Sequence, residues 1–289
     1  MRILIILLIL MLVSCKKKEV REQYPSGQLK MKYTVNNDNK KHGVLERYDE
    51  QGNLREISIY SDGIARDSSL FYDANSNLES IVFWNNVGEA YYQKRLFPDG
   101  KTRFEGPLGS NEEQVGKWKL YNQQGILSEY REYVNLSGES YMNQRWILNA
   151  QGDTIPGGNF YRAVSPDTAI VEKPYRIHFF LEQPVISYDS DLFVCLPKQD
   201  YTINPDFSNE QNIEWDTIPS LSIRFKEHER FRDNNHDVVF DMQNFEVGQK
   251  NIRGFLLEKE KTQKDTFDFV TRKIYFDLPV YISADSISQ

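Results

Sequence analysis

Aromatic side chains return along the first half of the chain at Tyr24, Tyr48, Tyr72, Phe97, Tyr121 and Trp146, at intervals of 24 or 25 residues. Three or four positions after most of them stands a turn former, at Gly27, Gly52, Ser76, Gly100 and Gly125. Two positions further on comes Leu29, Leu54, Leu78 or Leu127, with Thr102 as the exception. Six residues beyond these lie Val35, Tyr60, Trp84, Leu108 and Tyr133, an even offset that keeps both positions on one face of an extended chain. Each unit therefore reads as a hairpin. Around Tyr48-Asp-Glu-Gln-Gly52-Asn-Leu54 an aromatic ends one strand, Gly takes a positive φ that a Cβ resists, and Leu starts the return. Asp62-Gly63 marks a second reversal within the unit. One hairpin is marginal in water, whereas neighbouring copies bury a shared stripe.

The recurring Tyr-x-x-x-Gly-x-Leu, with His42-Gly43-Val-Leu-Glu-Arg-Tyr48 and Gly116-Lys-Trp118-Lys-Leu-Tyr121 ahead of it, resembles the MORN-repeat variant of bacterial proteins often called antitoxin-like. The resemblance covers residues 24–152 and implies an elongated or weakly curved β-sheet used for contact with a partner. The glycine five positions before the aromatic is kept at Gly43 and Gly116, but Asp67, Tyr92 and Tyr141 stand at the equivalent sites. Gly106-Pro-Leu-Gly109 and the polar residues after it read as a loop in the fourth unit.

Ile155-Pro-Gly-Gly158 interrupts the period, which sets the boundary between the repeats and a second domain, 153–289. Strands are expected there at Tyr175–Leu181, Leu192–Leu196, Leu221–Phe225, Val238–Met242, Ile252–Leu257, Phe267–Val270 and Ile274–Ile282. No helical period of any length occurs. Short strands separated by Asn, Asp, Pro and Gly turns fit an immunoglobulin-like sandwich, with a small barrel as the alternative. The fold class expected is thus all-β: a meander of stacked hairpin repeats, then a β-sandwich.

The first fifteen residues follow a different pattern. Arg2 precedes an unbroken apolar run from Ile3 to Val13, then Ser14 and Cys15. As a helix that run rises about 16 Å against a hydrocarbon core of roughly 30 Å, too short to span. Its order is that of a signal peptide, residues 1–14. Leu12-Val13-Ser14-Cys15 resembles the lipobox of bacterial lipoproteins, which implies cleavage after Ser14, diacylation of the Cys15 thiol and a place in the bacterial cell envelope. A linker, 15–23, would then join anchor to repeats, its Lys16-Lys17-Lys18 able to meet anionic headgroups. The other thiol, Cys195, lies in an apolar strand-like run and reads as a small buried hydrophobe.

Charge narrows the function further. Thirty-five Lys and Arg against 42 Asp and Glu give a net −7, with no basic half that would hold a phosphate backbone, so nucleic acid is not an expected partner. No nucleophile-elbow, zincin, phosphate-loop or dinucleotide motif occurs, and no cofactor is expected. His228 and His236 with Asp233, Asn235 and Asp237 form the one cluster worth weighing for a metal. Val238 and Asn244 stand where a calcium loop needs Gly and Glu, and a polar turn is the simpler reading. Glu112-Glu113 and the Asp189/Asp191 pair read as solvated loop acids, and Tyr91-Tyr92 with Phe83-Trp84 as packing on the repeat sheet.

These features together suggest a non-enzymatic, lipid-anchored binding or scaffold module whose sheet and sandwich meet a protein or glycan partner. An envelope glycan or peptide hydrolase using carboxylates of the second domain is the rival, and a mechanical spacer a third reading. Replacing Cys15 by Ser should release the protein from membrane fractions or block its processing; unchanged retention on fractionation would require another attachment.

Overall fold

The computed structural model describes residues 18–261 and 269–284. Cys15 and the signal segment lie outside the described residues. The chain forms two compact units, one ending at Lys101 and the other starting at Thr102. No helix among the described residues is long and apolar enough to cross a membrane.

The first unit is an antiparallel meander of β1 (Lys18–Gln23), β2 (Leu29–Val35), β3 (Lys41–Tyr48), β4 (Leu54–Ser61), β5 (Ile64–Tyr72), β6 (Leu78–Trp84) and β7 (Ala90–Leu96), each paired with the next. Residues 18–23, read from the sequence as the end of the linker, are the edge strand β1; their polarity hides them, because most are exposed. The second unit continues in the same style with β8 (Thr102–Pro107), β9 (Gly116–Tyr121), β10 (Leu127–Leu136), β11 (Glu139–Leu148) and β12 (Thr154–Val164).

One turn is copied along both units. At Tyr24, Asn36, Asp49, Asp73, Asn85, Phe97, Gly109, Asn122 and Asn149 the backbone N–H donates to the carbonyl four residues on, and the N–H three residues on donates back to the first carbonyl. The residue donating back has positive φ each time: Gly27, Asn39, Gly52, Ser76, Gly88, Gly100, Glu112, Gly125 and Gly152. This is the three-residue hairpin loop with a G1 bulge. At Asn36, Asp49, Asp73, Asn85, Asn122 and Asn149 the side-chain oxygen also accepts the N–H groups two and four residues on. Asp62-Gly63 and Ser137-Gly138, with positive φ at both residues, close the remaining reversals as two-residue turns.

In the first unit Leu45, Ser58, Ser69, Val82 and Gln93 lie in one cross-strand row. Ser58 is fully buried, its hydroxyl 2.7 Å from that of Ser69, which accepts the Trp84 indole N–H at 2.8 Å. A carboxylate, Glu56, takes the Ser58 hydroxyl at 2.6 Å and Arg47 at 2.8 Å. In the second unit Trp118, 1 % exposed, packs between Phe104 and Tyr133 and donates to the Pro107 carbonyl. Gly106 is needed there, since a Cβ would lie 2.4 Å from the indole.

Strand β12 runs through the Pro-Gly-Gly segment, where its register with β11 shifts, and pairs with β11 on one side and β14 on the other. The glycine pair reflects close approach: a Cβ at Gly158 would lie 2.4 Å from the Arg145 carbonyl oxygen. β12 therefore opens the sandwich as well as closing the meander. The remaining strands are β13 (Thr168–Ile170), β14 (Tyr175–Gln183), β15 (Asp191–Pro197), β16 (Trp215–Pro219), β17 (Asp237–Met242), β18 (Gly248–Lys261) and β19 (Phe269–Ser283). Their order is β12-β14-β17 in one sheet and β13-β19-β18-β15-β16 in the other, β13 parallel to β19 and all other pairs antiparallel. In immunoglobulin lettering this is A-B-E against A′-G-F-C-C′, with no strand D among the described residues. Ile177, Phe179, Val238, Leu192, Val194, Leu256, Ile274 and Val280 fill the space between the sheets.

Two strand expectations need correction. Leu221–Phe225 is the short helix α1 (Leu221–Arg224), closed by Arg224 N–H to Ser220 O and Phe225 N–H to Leu221 O. Five alternating residues fit either period, and here the turn after Pro219 decides. Phe267–Val270 and Ile274–Ile282 are not two strands: from Phe269 onward they form β19, because the polar residues between them pair with β18, while 267 and 268 lie outside the described residues.

The outer face of the second sheet is covered as well. Cys195, Phe255 and Tyr275 pack against Ile203, Phe207 and Ile213 of the β15–β16 connection, and against Val134, Leu136 and Tyr141 of the β10–β11 hairpin. Asn143 secures this contact. It is the extra residue of a bulge in β11, between Met142, which pairs with Tyr133, and Gln144, which pairs with Glu132. Fully buried, its side chain accepts the Tyr275 N–H at 2.7 Å and donates to the Tyr275 carbonyl at 2.8 Å, as a neighbouring strand would. Asn143→Ala should cost about 2–3 kcal/mol, the penalty of leaving two buried backbone groups unpaired; chemical denaturation measures it, with faster hydrogen exchange at the Tyr275 amide.

Candidate functional site

Because strand D is missing, β17 ends its sheet and β16 ends the other. Between these two edges lies a cavity of about 1080 Å³. Leu196 of β15, Ile218 of β16, Phe240 and Met242 of β17 and Ile252 of β18 line it and also belong to, or pack on, the core between the sheets. The cavity is thus an opening into the sandwich seam. Its rim is charged: Arg176 grips Asp241 through two bonds of 2.9 and 3.1 Å, Lys250 meets Glu246 at 2.6 Å, and Arg253 meets Asp277 at 2.7 Å. Arg176 holds the Asp241 carboxyl below the usual carboxylate range, and Lys250 does the same to Glu246. Asp216 also borders the cavity and makes no ion pair among the described residues. Phe245 stands beside it, 68 % exposed.

Strand β17 alternates by design of its sequence. Val238, Phe240 and Met242 face the core, whereas Asp237, Val239 and Asp241 face out. The outward edge is only half covered. α1 lies against β17, and Arg224 donates to the Val239 carbonyl at 2.5 Å. Beyond that point the edge runs along the cavity from Phe240 to Asn244.

The cluster weighed for a metal is dispersed. His228 is exposed at the start of the single turn Glu229–Phe231, and Asp237 binds Asn234 and approaches His178 at 3.3 Å. His236 instead turns inward, its Nε2 3.1 Å from Ser190 Oγ. No group of three or more metal-binding side chains occurs among the described residues. Ser190 and His236 meet a carboxylate, Glu258, but in an order unsuited to nucleophilic attack. Ser190 and Glu258 are fully buried, and the serine hydroxyl donates to the carboxylate at 2.9 Å while the imidazole lies on its other side. A hydrolytic triad needs the carboxylate on the imidazole and the hydroxyl facing substrate. Here Glu258 also accepts the N–H groups of Val185 and Ile186 at 3.0 and 2.8 Å, so the trio pins the β14–β15 connection.

The acid pairs have separate fates. Asp191 opens β15 opposite Lys259, and burial pushes its carboxyl up, so it is not the solvated loop acid the sequence suggests. With Asp189 it borders two smaller hollows of about 660 and 380 Å³ at the loop end of the sandwich. Glu113 accepts the Asn111 N–H and the Asn135 side chain, closing a repeat turn. Phe83 and Tyr92 pack edge to face on the repeat sheet at 6.0 Å.

The repeat-defining leucines each begin a strand, whereas the aromatics do not share one place. Tyr48, Tyr72 and Tyr121 end β3, β5 and β9; Tyr24 and Phe97 follow β1 and β7; Trp146 lies within β11. Leu29, Leu54, Leu78 and Leu127 begin β2, β4, β6 and β10. The Tyr24 hydroxyl donates to the Tyr48 carbonyl, one unit along, at 2.8 Å. Cys195 is buried, its thiol pushed up to about 11 by desolvation, and hence protonated. No family model and no curated protein matches the chain.

Burial holds the imidazoles of His236 and His178 below their ordinary range. Their neutral forms favour the fold above the unfolded value of about 6.5, and that contribution is lost as pH falls through the lower folded values. The melting temperature should therefore drop on acidification below about pH 6.5. The His178→Gln/His236→Gln double variant should flatten the drop in a thermal-shift series; an unchanged slope would assign it to carboxylates.

Proposed function

We propose that this chain is a lipid-anchored, non-enzymatic binding and scaffold module of the bacterial cell envelope. Its partner seats in the seam between β16 and β17, and the hairpin repeats serve as the framework that carries the sandwich. The seam supports this reading most directly: a cavity of about 1080 Å³ lined by apolar and polar side chains, continuous with the core and open between two edge strands. A closed sandwich would bury that surface. The leader and the lipobox-like Leu12–Cys15 support the address, since two or more acyl chains hold a soluble body stably at a membrane. The Asn143 clamp supports the scaffold role, because it joins hairpin and sandwich through buried hydrogen bonds.

The reading is tested in intact cells. Benzoylphenylalanine at Phe245, beside the seam, should give discrete photo-adducts, and the same group at Tyr188, exposed at the loop end, should not. Adducts from Tyr188 alone would move the contact to the hollows around Asp189 and Asp191, and no adduct from either would remove the binding role.

A further inference from the structure

Resting on that reading, we infer that the seam takes an extended polypeptide segment, which adds as a strand to the outer edge of β17 where strand D is missing and presents basic side chains to Asp216 on the rim.

The backbone argues for a strand. Val239 turns its carbonyl outward to Arg224, and two residues on, Asp241 turns its peptide groups the same way, toward the cavity and away from β14. Such an edge accepts a peptide through main-chain hydrogen bonds, while pockets for alternate side chains set the preference. Those pockets are present: Ile218, Met242 and Ile252 form an apolar lining that every second residue of an added strand can enter. A glycan would leave that lining facing polar hydroxyls.

Charge selects the partner. A second copy is disfavoured, because two β17 edges pairing about Val239 would set Asp237 opposite Asp241 twice, and like charges directly opposite are destabilising. On the rim Arg176, Lys250 and Arg253 are each paired with a carboxylate, Asp241, Glu246 and Asp277, which leaves Asp216 as the rim acid that makes no ion pair among the described residues. A segment alternating apolar and basic residues meets both the lining and the rim.

The test uses the chain from Lys16 onward and three acetylated decapeptides: alternating Val-Lys, the same peptide N-methylated at alternate residues, and alternating Val-Glu. The Val-Lys peptide should slow hydrogen exchange at the Asp241 amide at least tenfold. N-methylation, which removes strand N–H groups and keeps charge and side chains, should weaken binding at least tenfold, as should Asp216→Lys in the protein. Val-Glu should not bind. Equal binding of the methylated peptide, or no protection at Asp241, would overturn strand addition. If photo-adducts nevertheless form from Phe245 in cells, the seam remains a binding site engaged through side chains; if they do not, the binding reading fails independently.

Discussion

Every β-strand has two edges, and a buried edge without hydrogen-bond partners costs more than most single contacts return. How this chain disposes of its edges organises the rest of it. Along the repeats the solution is succession, since each strand hands its free edge to the next across a turn of fixed geometry. In the sandwich two other devices appear. At Tyr275 an amide side chain, Asn143, stands in for a missing strand by both donating and accepting. At Val239 a guanidinium takes one carbonyl. Beyond Val239 this edge runs beside a cavity that the β16 edge borders from the other side, and the gap between the two edges is the candidate site.

The framework behind the seam is rigid for reasons that can be named. Within the second unit β12 belongs both to the hairpins that begin it and to the sandwich, so these cannot separate without breaking a strand. The second sheet is clad on its outer face by Phe207, Ile213 and the β10–β11 hairpin, with Glu210 accepting the Tyr275 hydroxyl at 2.8 Å and also paired with Lys273. On the far side Glu258 fastens the β14–β15 connection. A segment entering the seam therefore meets walls already ordered, which lowers the entropic cost of binding.

Much of the repeat architecture is legible in the sequence because positive φ is chemically visible. Gly27, Gly52, Gly100 and Gly125 mark reversals at double the true step. Of the intervening ones, those at Asn36 and Gly109 are harder to read, since Asn39 and Glu112 take the left-handed conformation without being glycine. Among the sandwich strands β14, β15, β17 and β18 are legible from their apolar runs, whereas β12, β13 and β16 are not, since Pro and Gly interrupt the first and the other two are short. Leu221–Phe225 shows the limit: its alternation is genuine, but so short a run has no partner edge to pair with, and the helix is what remains.

The candidate site was not legible, and the reason is topological. Val238–Met242 reads correctly as a strand, yet nothing in those residues says which of its edges is covered; that follows from the absence of strand D, a property of sheet order. Leu196, Ile218 and Ile252 look like ordinary core residues because they are core residues, exposed at one end. What distinguishes the edge locally is its charge. Asp237 and Asp241 on an edge strand oppose casual pairing with other copies, as charges on natural sheet edges commonly do. Selectivity for a basic strand rests instead on Asp216 of the facing edge, because Arg176 already pairs with Asp241 and Asp237 does not border the cavity.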